Sequence, residues 1–195
     1  QNPVRFLARE LPGLLAATRR EIAPFLGARA QDLAFVRNAT SGASAVLRSL
    51  AFAPDDELLV TRHAYPACRR AADVVAARAG ARVRVADIPF PIQSAGQAVD
   101  AVLAAVGPRT RLALIEHVTS PTGLVLPVET LVAELGRRGV DVLVDGAHGP
   151  GMLGLDLEAL GAAYYTGNFH KWCCAPRGAA FLWVREDRQP LIRPA

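Results

Sequence analysis

The sequence predicts an α/β fold: a mostly parallel sheet of seven strands with helices on both faces. Short apolar runs alternate with amphipathic stretches along most of the chain, an order that is typical of parallel sheets covered by their crossover helices. Three helix-like stretches stop at Gly80, at Gly107-Pro108 and at Gly139, residue types at which helices commonly end. We expect the ligand site of such a sheet at the carboxyl ends of its strands.

Strands are predicted where short apolar runs lie between turn residues. These runs are residues 33–36, 58–61, 82–86, 111–117, 141–144, 162–166 and 179–184. Helices are predicted where apolar residues recur at helical spacing. These stretches are residues 41–50, 67–79, 99–106, 128–138 and 155–160. The sequence shows no internal repeat and no low-complexity segment, so we expect one large domain.

The composition is that of a packed globular protein, because 51% of the residues are apolar and 21% are charged. No apolar stretch approaches the roughly 20 residues of a membrane-spanning helix, so we expect no membrane partner. The formal charge of +4 first suggests nucleic acid as a partner. The arginines, however, come in scattered pairs such as Arg69-Arg70 and Arg137-Arg138, a pattern that favours ordinary solvated surfaces over a nucleic-acid site.

Cysteine usage bears on the compartment. The three cysteines, Cys68, Cys173 and Cys174, are an odd number and show no metal-ligand spacing. Two of them are adjacent in the chain, which is poor geometry for a disulfide with each other. The sequence therefore predicts a reducing, cytoplasmic setting and no metal site.

Lys171 is the only lysine among the 22 basic residues, and the other 21 are arginines. A composition that favours arginine so strongly would replace every lysine that tolerates replacement. The amine of a lysine can lose its proton and attack a carbonyl, whereas a guanidinium cannot. Lys171 is therefore a candidate nucleophile, and the alternative is chance survival of one surface lysine.

Polar residues concentrate directly after the predicted strands, in residues 37–42, 62–65, 118–120, 145–148 and 167–171. In the first of these loops, small residues and hydroxyls suit an anion at a helix N-terminus, although a plain helix cap is equally compatible. Asp145 follows an apolar strand, where a buried carboxylate needs a partner. A protonated pyridine nitrogen would be such a partner, and a helix cap is again the alternative.

Four further residues after the strands have two interpretations each. Tyr65 could stack on a flat heteroaromatic ring or simply pack, and Ser120 could donate to a phenolic oxygen or serve a turn. His148 could hydrogen-bond a ring oxygen or be structural, and His170 could assist proton transfer or cap a turn. A lysine near a pyridinium, a phosphate and apolar walls can have a lowered pKa and form an imine. Along the chain come an anion-binding loop, an aromatic ring, a hydroxyl, a carboxylate and then Lys171, each at the end of a predicted strand. This order predicts a site for pyridoxal 5'-phosphate (PLP).

Five segments carry a resemblance to a known family: FVRNAT at 35–40, TRHAY at 61–65, HVTSPTG at 117–123, VDGAH at 144–148 and TGNFHKW at 166–172. In this order they resemble the class V aminotransferase group of fold-type I PLP enzymes. The closest likeness is to isopenicillin-N-epimerase-like proteins, with cysteine desulfurases as relatives. The segments span nearly the whole chain and are highly specific together, although Asp-Gly-Ala or His-Lys alone would be weak.

The resemblance implies a role for each candidate residue. Lys171 would form a Schiff base with PLP and move protons at the substrate α-carbon, and Asp145 would pair with the pyridine nitrogen. Tyr65 would occupy the ring-stacking position, while His148 and Ser120 would contact the 3-oxygen of the ring. The residues near the phosphate would be Ala39, Thr40, Asn168 and His170.

The resemblance also implies that residues 1–195 are the large PLP-binding domain of a longer, homodimeric enzyme, without its N-terminal segment and small C-terminal domain. The substrate would be an amino acid or a similar amine, and epimerisation, elimination, desulfuration and transamination all fit. Tyr65 and Ser120 differ from the desulfurase pattern, and Cys173 and Cys174 do not match the position of the desulfurase nucleophile. The alternatives are a cysteine desulfurase and a truncated domain that binds PLP without catalysis or only packs against a partner.

Overall fold

The computed structural model describes residues 2–193, and its seven strands form one sheet in the order β1-β7-β6-β5-β4-β2-β3. The strands are β1 Leu33–Val36, β2 Glu57–Thr61, β3 Arg82–Ala86, β4 Thr110–Glu116, β5 Asp141–Gly146, β6 Tyr164–Asn168 and β7 Ala180–Val184. Strands β3, β2, β4, β5 and β6 run parallel to one another, whereas β7 is antiparallel to both β6 and β1. The predicted fold class, a mostly parallel seven-stranded sheet, is confirmed.

Helices connect most of these strands. They are α1 Pro3–Arg5, α2 Leu11–Leu26, α3 Ala39–Ser49, α4 Pro66–Ala79, α5 Ala95–Ala104, α6 Val128–Arg137 and α7 Leu157–Leu160. All five predicted helices are present. Helix α5 begins earlier than residue 99, where it was predicted to start, because the side chain of Ser94 caps it by accepting from the Gln97 N–H. None of the helices within residues 2–193 is both long and apolar enough to cross a membrane.

The N-terminal helices were not predicted, since the first predicted element began at residue 33. Helix α2 contains two prolines and a glycine, which are poor helix formers. Only Ala23 and Leu26 are buried in it, and Leu14, Leu15 and Phe25 are exposed. Ile22, Ala23 and Leu26 face the core at helical spacing, but the prolines, the glycine and the exposed apolar residues obscure this stripe in the sequence.

Helices cover both faces of the sheet, as predicted. On one face, α3 and α4 pack through Val46 and Ala72 against strand residues such as Leu114. On the other face, α5 and α6 pack through residues such as Val102 and Leu131 against the alternate side chains of the same strands. The period-two alternation of a strand explains why neighbouring residues belong to different cores.

The connections reverse direction between β2 and β4. From β2 the chain passes through α4 to β3 at the edge of the sheet, whereas from β4 it passes through α6 to β5 on the other side. At such a point the loops diverge and leave a crevice at the carboxyl edge of the sheet. The residues that follow β2, β4 and β5 therefore meet at this edge, with those that follow β6 beside them.

Candidate active site

Lys171 lies in the turn after β6, and its Nζ is 2.9 Å from Nε2 of His148 in the loop after β5. The two loops meet because β5 and β6 are parallel neighbours in which Asp145 pairs with Thr166. Burial lowers the pKa of Lys171, although the charge of Asp145 acts in the opposite direction. Burial also lowers the pKa of His148, and the nearby charge of Lys171 adds to this. Both shifts favour an unprotonated amine beside a neutral imidazole.

The turn that carries Lys171 is anchored on both sides. Before it, the backbone N–H of His170 donates to the carbonyl of Ala179 at 3.2 Å, and Nδ1 of His170 lies 3.0 Å from the same oxygen. After it, the indole N–H of Trp172 donates to Nδ1 of His148 at 3.0 Å. The turn that carries Lys171 is therefore held by the residues on both sides of it, and the Lys171 amine adds its own contact with His148.

Asp145 is the buried carboxylate at the carboxyl end of β5. Its Oδ1 accepts from the backbone N–H of Ala147 at 3.1 Å, and its Oδ2 accepts from the thiol of Cys68 at 3.3 Å. Asp145 takes part in none of the ion pairs among residues 2–193. A buried carboxylate without a cationic partner is costly, so this side chain is suited to a cationic ligand.

The start of α3 joins the strand-end residues through one long-range hydrogen bond. The backbone N–H of Ala39 donates to Oδ1 of Asn168 at 2.8 Å, and Asn38 caps the helix by accepting from the N–H of Ser41 at 2.8 Å. The N–H of Ala39 is thus already satisfied. Thr40 is the second helical residue, whose N–H lacks an acceptor within the helix. The structure therefore favours Thr40 over Ala39 as an anion donor, and the predicted phosphate role of Ala39 has no free backbone N–H to support it.

Tyr65 and Ser120 lie on the same edge of the sheet but are not drawn into the hydrogen-bonded cluster. Tyr65 immediately precedes α4 and is 41% exposed. Ser120 follows β4 and is exposed. Neither side chain hydrogen-bonds to another of residues 2–193, so their predicted roles depend on a ligand.

Three residues of the site were not predicted from the sequence: Cys68, Glu116 and Trp172. Cys68 lies on α4 and is 1% exposed, and burial together with Asp145 raises the pKa of its thiol. Helical spacing could have identified Cys68 as a buried residue, but not as one that points toward the end of β5.

Glu116 ends β4 and pairs in register with Asp145. Its Oε2 is hydrogen-bonded by the hydroxyl of Thr61, whereas its Oε1 is buried without a partner among the described residues. Burial raises the pKa of Glu116 to about 8, and the charge of Asp145 adds to this, against the effect of the Thr61 hydrogen bond. The signal that could have identified Glu116 in the sequence is its position as an acidic residue within an otherwise apolar predicted strand.

A cavity of about 430 Å³ opens beside Lys171. Its lining is cationic and contains no acid: Arg37, Asn38, His170, Lys171, Arg177 and Gly178. Within residues 2–193, neither Arg37 nor Arg177 forms an ion pair. The cavity is therefore suited to an anionic group. No cluster of three or more potential metal-ligating side chains is found in the part of the chain that the structure describes.

Comparison with known families identifies what this arrangement is part of. The model of the family described as Aminotransferase class-V matches residues 4–195. The chain belongs to the class-V aminotransferase family. The resemblance found in the sequence is thereby confirmed, and PLP is the cofactor of this family.

Relatives of this class-V chain include several kinds of enzyme. It is 44% identical to the isopenicillin N epimerase of Amycolatopsis lactamdurans, over 99% of this chain and 49% of the relative. It is 35% identical to the probable chloroplastic L-cysteine desulfhydrase of Arabidopsis thaliana, over 96% of this chain and 42% of the relative. The solved complex of the cystine C-S lyase C-DES with its reaction product cysteine persulfide has a TM-score of 0.90 and 30% identity, over 96% of this chain and 50% of that one. The chain thus spans about half the length of the curated relatives that it matches.

The residues of the site are compatible with the cofactor of the class-V family. Asp145 is a buried carboxylate that has two hydrogen-bond donors and no ion-pair partner among the described residues, and a protonated ring nitrogen is a cationic donor that such a carboxylate can accept. The cationic cavity beside Lys171 suits a phosphate. Lys171 itself is partly buried with a lowered pKa, which suits an amine that must attack an aldehyde.

Proposed function

We propose that this chain is the PLP-binding domain of an enzyme that acts at the α-carbon of an amino acid or similar amine, with Lys171 as the residue that holds the cofactor. The reaction would be of the epimerase, lyase or aminotransferase type. The observation that carries the proposal is the 2.9 Å contact between the only lysine of the chain and His148. The buried, ion-pair-free Asp145 acts on the same amine through its charge.

In this proposal each part of the cofactor has a counterpart in the chain. Asp145 would pair with the pyridine nitrogen, Tyr65 would stack on the ring, and His148 and Ser120 would contact its 3-oxygen. The phosphate would be held by four residues near the start of α3 and the Lys171 turn: Ala39, Thr40, Asn168 and His170. When bound, the ring withdraws electrons from the α-carbon of the substrate attached to it. Thr40 carries most of the phosphate role, because the Ala39 N–H is paired with Asn168.

The residues of the chain supply the proton transfer. The pKa of Lys171 is lowered by burial, which favours the unprotonated amine that can accept a proton from the α-carbon. Nε2 of His148 lies 2.9 Å from that amine, so His148 orients the amine through a hydrogen bond. Hydrogen bonds from Ala147 and Cys68 hold the Asp145 carboxylate in one orientation, which is needed for a fixed contact with the ring nitrogen.

The surroundings of Cys173 do not favour a nucleophilic role for this residue. The pKa of Cys173 is raised by burial, with the neighbouring Cys174 acting in the same direction. A raised pKa disfavours the thiolate, which sulfur transfer requires. Among relatives, the names isopenicillin N epimerase and L-cysteine desulfhydrase support chemistry on an amino-acid-like substrate without deciding which bond breaks.

The test is trapping of the cofactor on Lys171. The protein is incubated with PLP, reduced with borohydride and digested, and the modified peptide is mapped. We expect one internal adduct, on Lys171, and none in Lys171→Arg, although that variant keeps the charge. A matched control is the double variant Lys171→Arg/Arg177→Lys, which returns an amine to the same cavity at another position and should give little adduct.

The outcomes separate the alternatives. An absence of adduct on Lys171 in the folded protein would refute the proposal. In a parallel sample without borohydride, PLP absorbance that does not change when amino acids are added would indicate a domain that binds PLP without turnover. A shift of the absorbance with particular amino acids identifies the substrate class. Light scattering on the same samples tests the homodimer that we propose from the resemblance.

A further inference from the structure

The imidazole of His148 is contacted at both ring nitrogens. Nδ1 lies 3.0 Å from the indole nitrogen of Trp172, and Nε2 lies 2.9 Å from the amine of Lys171. An indole N–H can only donate a hydrogen bond. Nδ1 of His148 must therefore be the acceptor and carry no proton, and a neutral imidazole then carries its hydrogen on Nε2.

This tautomer determines what can stand opposite Nε2. A hydrogen on Nε2 needs a lone pair as its acceptor, and the amine of Lys171 has one only when it is unprotonated. An ammonium at Lys171 would need a lone pair on Nε2 instead, which would leave the ring without any hydrogen. An imidazolium would direct the hydrogen on Nδ1 toward the indole N–H of Trp172. One protonation state satisfies all three groups: indole donor, neutral imidazole with Nε2–H, and free amine.

The shifts in pKa agree with this state. Burial lowers the pKa of His148, and burial lowers the pKa of Lys171, so both neutral forms are favoured. The charged or titratable groups that act on the pair or share its cavity are Asp145 on β5, Cys68 on α4, Arg37 before α3, and His170 and Arg177 around the Lys171 turn. Of these, Asp145 opposes both shifts, and its effect ranks below that of burial.

The backbone holds Trp172 against the loop that carries His148. Gly151 lies three residues after His148 in the chain, with φ of +84°, and a Cβ at this position would be 2.7 Å from the carbonyl carbon of Trp172. The two loops are thus packed backbone to backbone. The rings of Trp172 and His148 are tilted by 48° with centroids 6.3 Å apart, so the indole nitrogen reaches His148 from the side and does not stack on it.

We propose that Trp172 is a positioning residue that acts through His148: its indole N–H fixes the Nε2–H tautomer, so that His148 presents a hydrogen-bond donor to the amine of Lys171. This inference rests on the proposed role of Lys171 as the reactive amine. The consequence is that His148 distinguishes between groups placed opposite Nε2 by their charge and protonation. A donor at Nε2 stabilises an unprotonated amine or an anionic oxygen and disfavours an ammonium.

The direct test is nitrogen NMR of the cofactor-free protein labelled with ¹⁵N-histidine. The chain has four histidines, and single His→Gln variants assign their signals. We expect His148 in the wild-type chain to show the Nε2–H pattern, with Nδ1 unprotonated. A predominant Nδ1–H pattern in the wild-type chain overturns the proposal without any variant being needed.

The variant Trp172→Phe keeps an aromatic side chain and removes the donor. We expect a mixture of tautomers at His148 in this variant, since nothing then favours one nitrogen. The matched control is Trp183→Phe, at the other tryptophan of the chain, which is buried in the core and should leave His148 unchanged. An unchanged tautomer in folded Trp172→Phe contradicts the proposal. If Trp172→Phe fails to fold, benzothienylalanine at position 172 removes the N–H with nearly the same shape.

Amine reactivity gives a second readout that a purely structural role would not affect. Because Lys171 is the only lysine, an amine-selective reagent modifies Lys171 and the α-amino group, which peptide mapping separates. We expect Trp172→Phe to slow the modification of Lys171 near neutral pH by about two- to tenfold, the factor of one lost hydrogen bond, and an unchanged rate would count against the proposal. These measurements use no PLP, so failure of the trapping experiment would remove the reactive role of the amine but leave the assigned tautomer of His148 standing, and a wrong tautomer would leave the trapping result standing.

Discussion

The thiol of Cys68 lies 3.3 Å from Oδ2 of Asp145, so a helix on one face of the sheet holds the carboxylate at the end of β5. The other oxygen of Asp145 is held by the backbone N–H of Ala147. The orientation of the carboxylate is therefore set from two directions, by α4 and by the loop after β5. Packing of α4 on the sheet and the geometry of the site are coupled through this contact.

The contact predicts different effects for two substitutions of Cys68. Cys68→Ala removes both volume and donor from a residue that is 1% exposed, and we expect it to lower the free energy of unfolding by about 1–3 kcal/mol. Cys68→Ser keeps a donor toward Asp145 and should lose less. Urea denaturation of the cofactor-free variants measures both. Equal losses would mean that the thiol only fills space.

Substitution of Asp145 should act mainly on cofactor affinity. Asp145→Asn keeps the shape and removes the charge, so we expect PLP binding to weaken by roughly 10- to 100-fold, the value of a charged hydrogen bond. Asp145→Ala should also stall exchange of the substrate α-proton. Absorbance titration measures the affinity, and NMR in D₂O follows the exchange. Wild-type exchange in Asp145→Ala would exclude a partner role for this carboxylate.

The buried Glu116 predicts a pH dependence of stability. Its pKa is raised by burial from the ordinary 4.5 to about 8, so between these pH values the native chain holds a proton that the unfolded chain has released. The free energy of unfolding must then fall as the pH rises through this range. Glu116→Gln should remove this contribution, so its stability relative to wild type increases from pH 5 to pH 8. Urea denaturation at several pH values tests this, and a constant difference would contradict it.

Gly151 offers a test of the packing between the two site loops. Gly151→Ala places a Cβ 2.7 Å from the carbonyl carbon of Trp172 at a φ of +84°, and we expect a loss of about 1–3 kcal/mol in the free energy of unfolding. The displaced Trp172 should also lower the yield of the Lys171 adduct. The matched control is Gly154→Ala, since a Cβ there meets no atom within 4 Å. Equal behaviour of the two variants would argue against tight packing at Gly151.

The sequence predicted the parts of the fold that hydrophobic periodicity controls. Each strand of the sheet was identified because buried runs such as that of β5 are bounded by turn residues, and the polar residues after β5 and β6 were expected to meet. His148 and Lys171 do contact each other. Helix α2 was missed because its prolines, its glycine and its exposed apolar side chains obscure the stripe that faces the core. Local pattern thus predicts elements whose apolar residues lie mainly on the buried face and fails where exposed apolar residues mask that face.

Contacts across the sheet could not be predicted, because they depend on register and on helix orientation. The pairing of Glu116 with Asp145 follows from the alignment of β4 and β5, which no single strand encodes. The Cys68 contact depends on how α4 lies on the sheet. The pairing of the Ala39 N–H with Asn168 involves two segments far apart in the chain, whereas a phosphate contact of Ala39 was implied by the resemblance and stays a prediction.

The hydrogen bond between Ala39 and Asn168 joins residues that are 129 positions apart, and β1 finds its sheet partner only in β7. Contacts of such long separation form late, because closing the intervening loop costs chain entropy before any bond is gained. During synthesis, the start of α3 therefore leaves the ribosome long before the strand that completes it. If the start of α3 and the end of β6 hold the phosphate as proposed, this part of the site is complete only after Asn168 has been synthesised, and a shorter translation product has no assembled site for the cofactor.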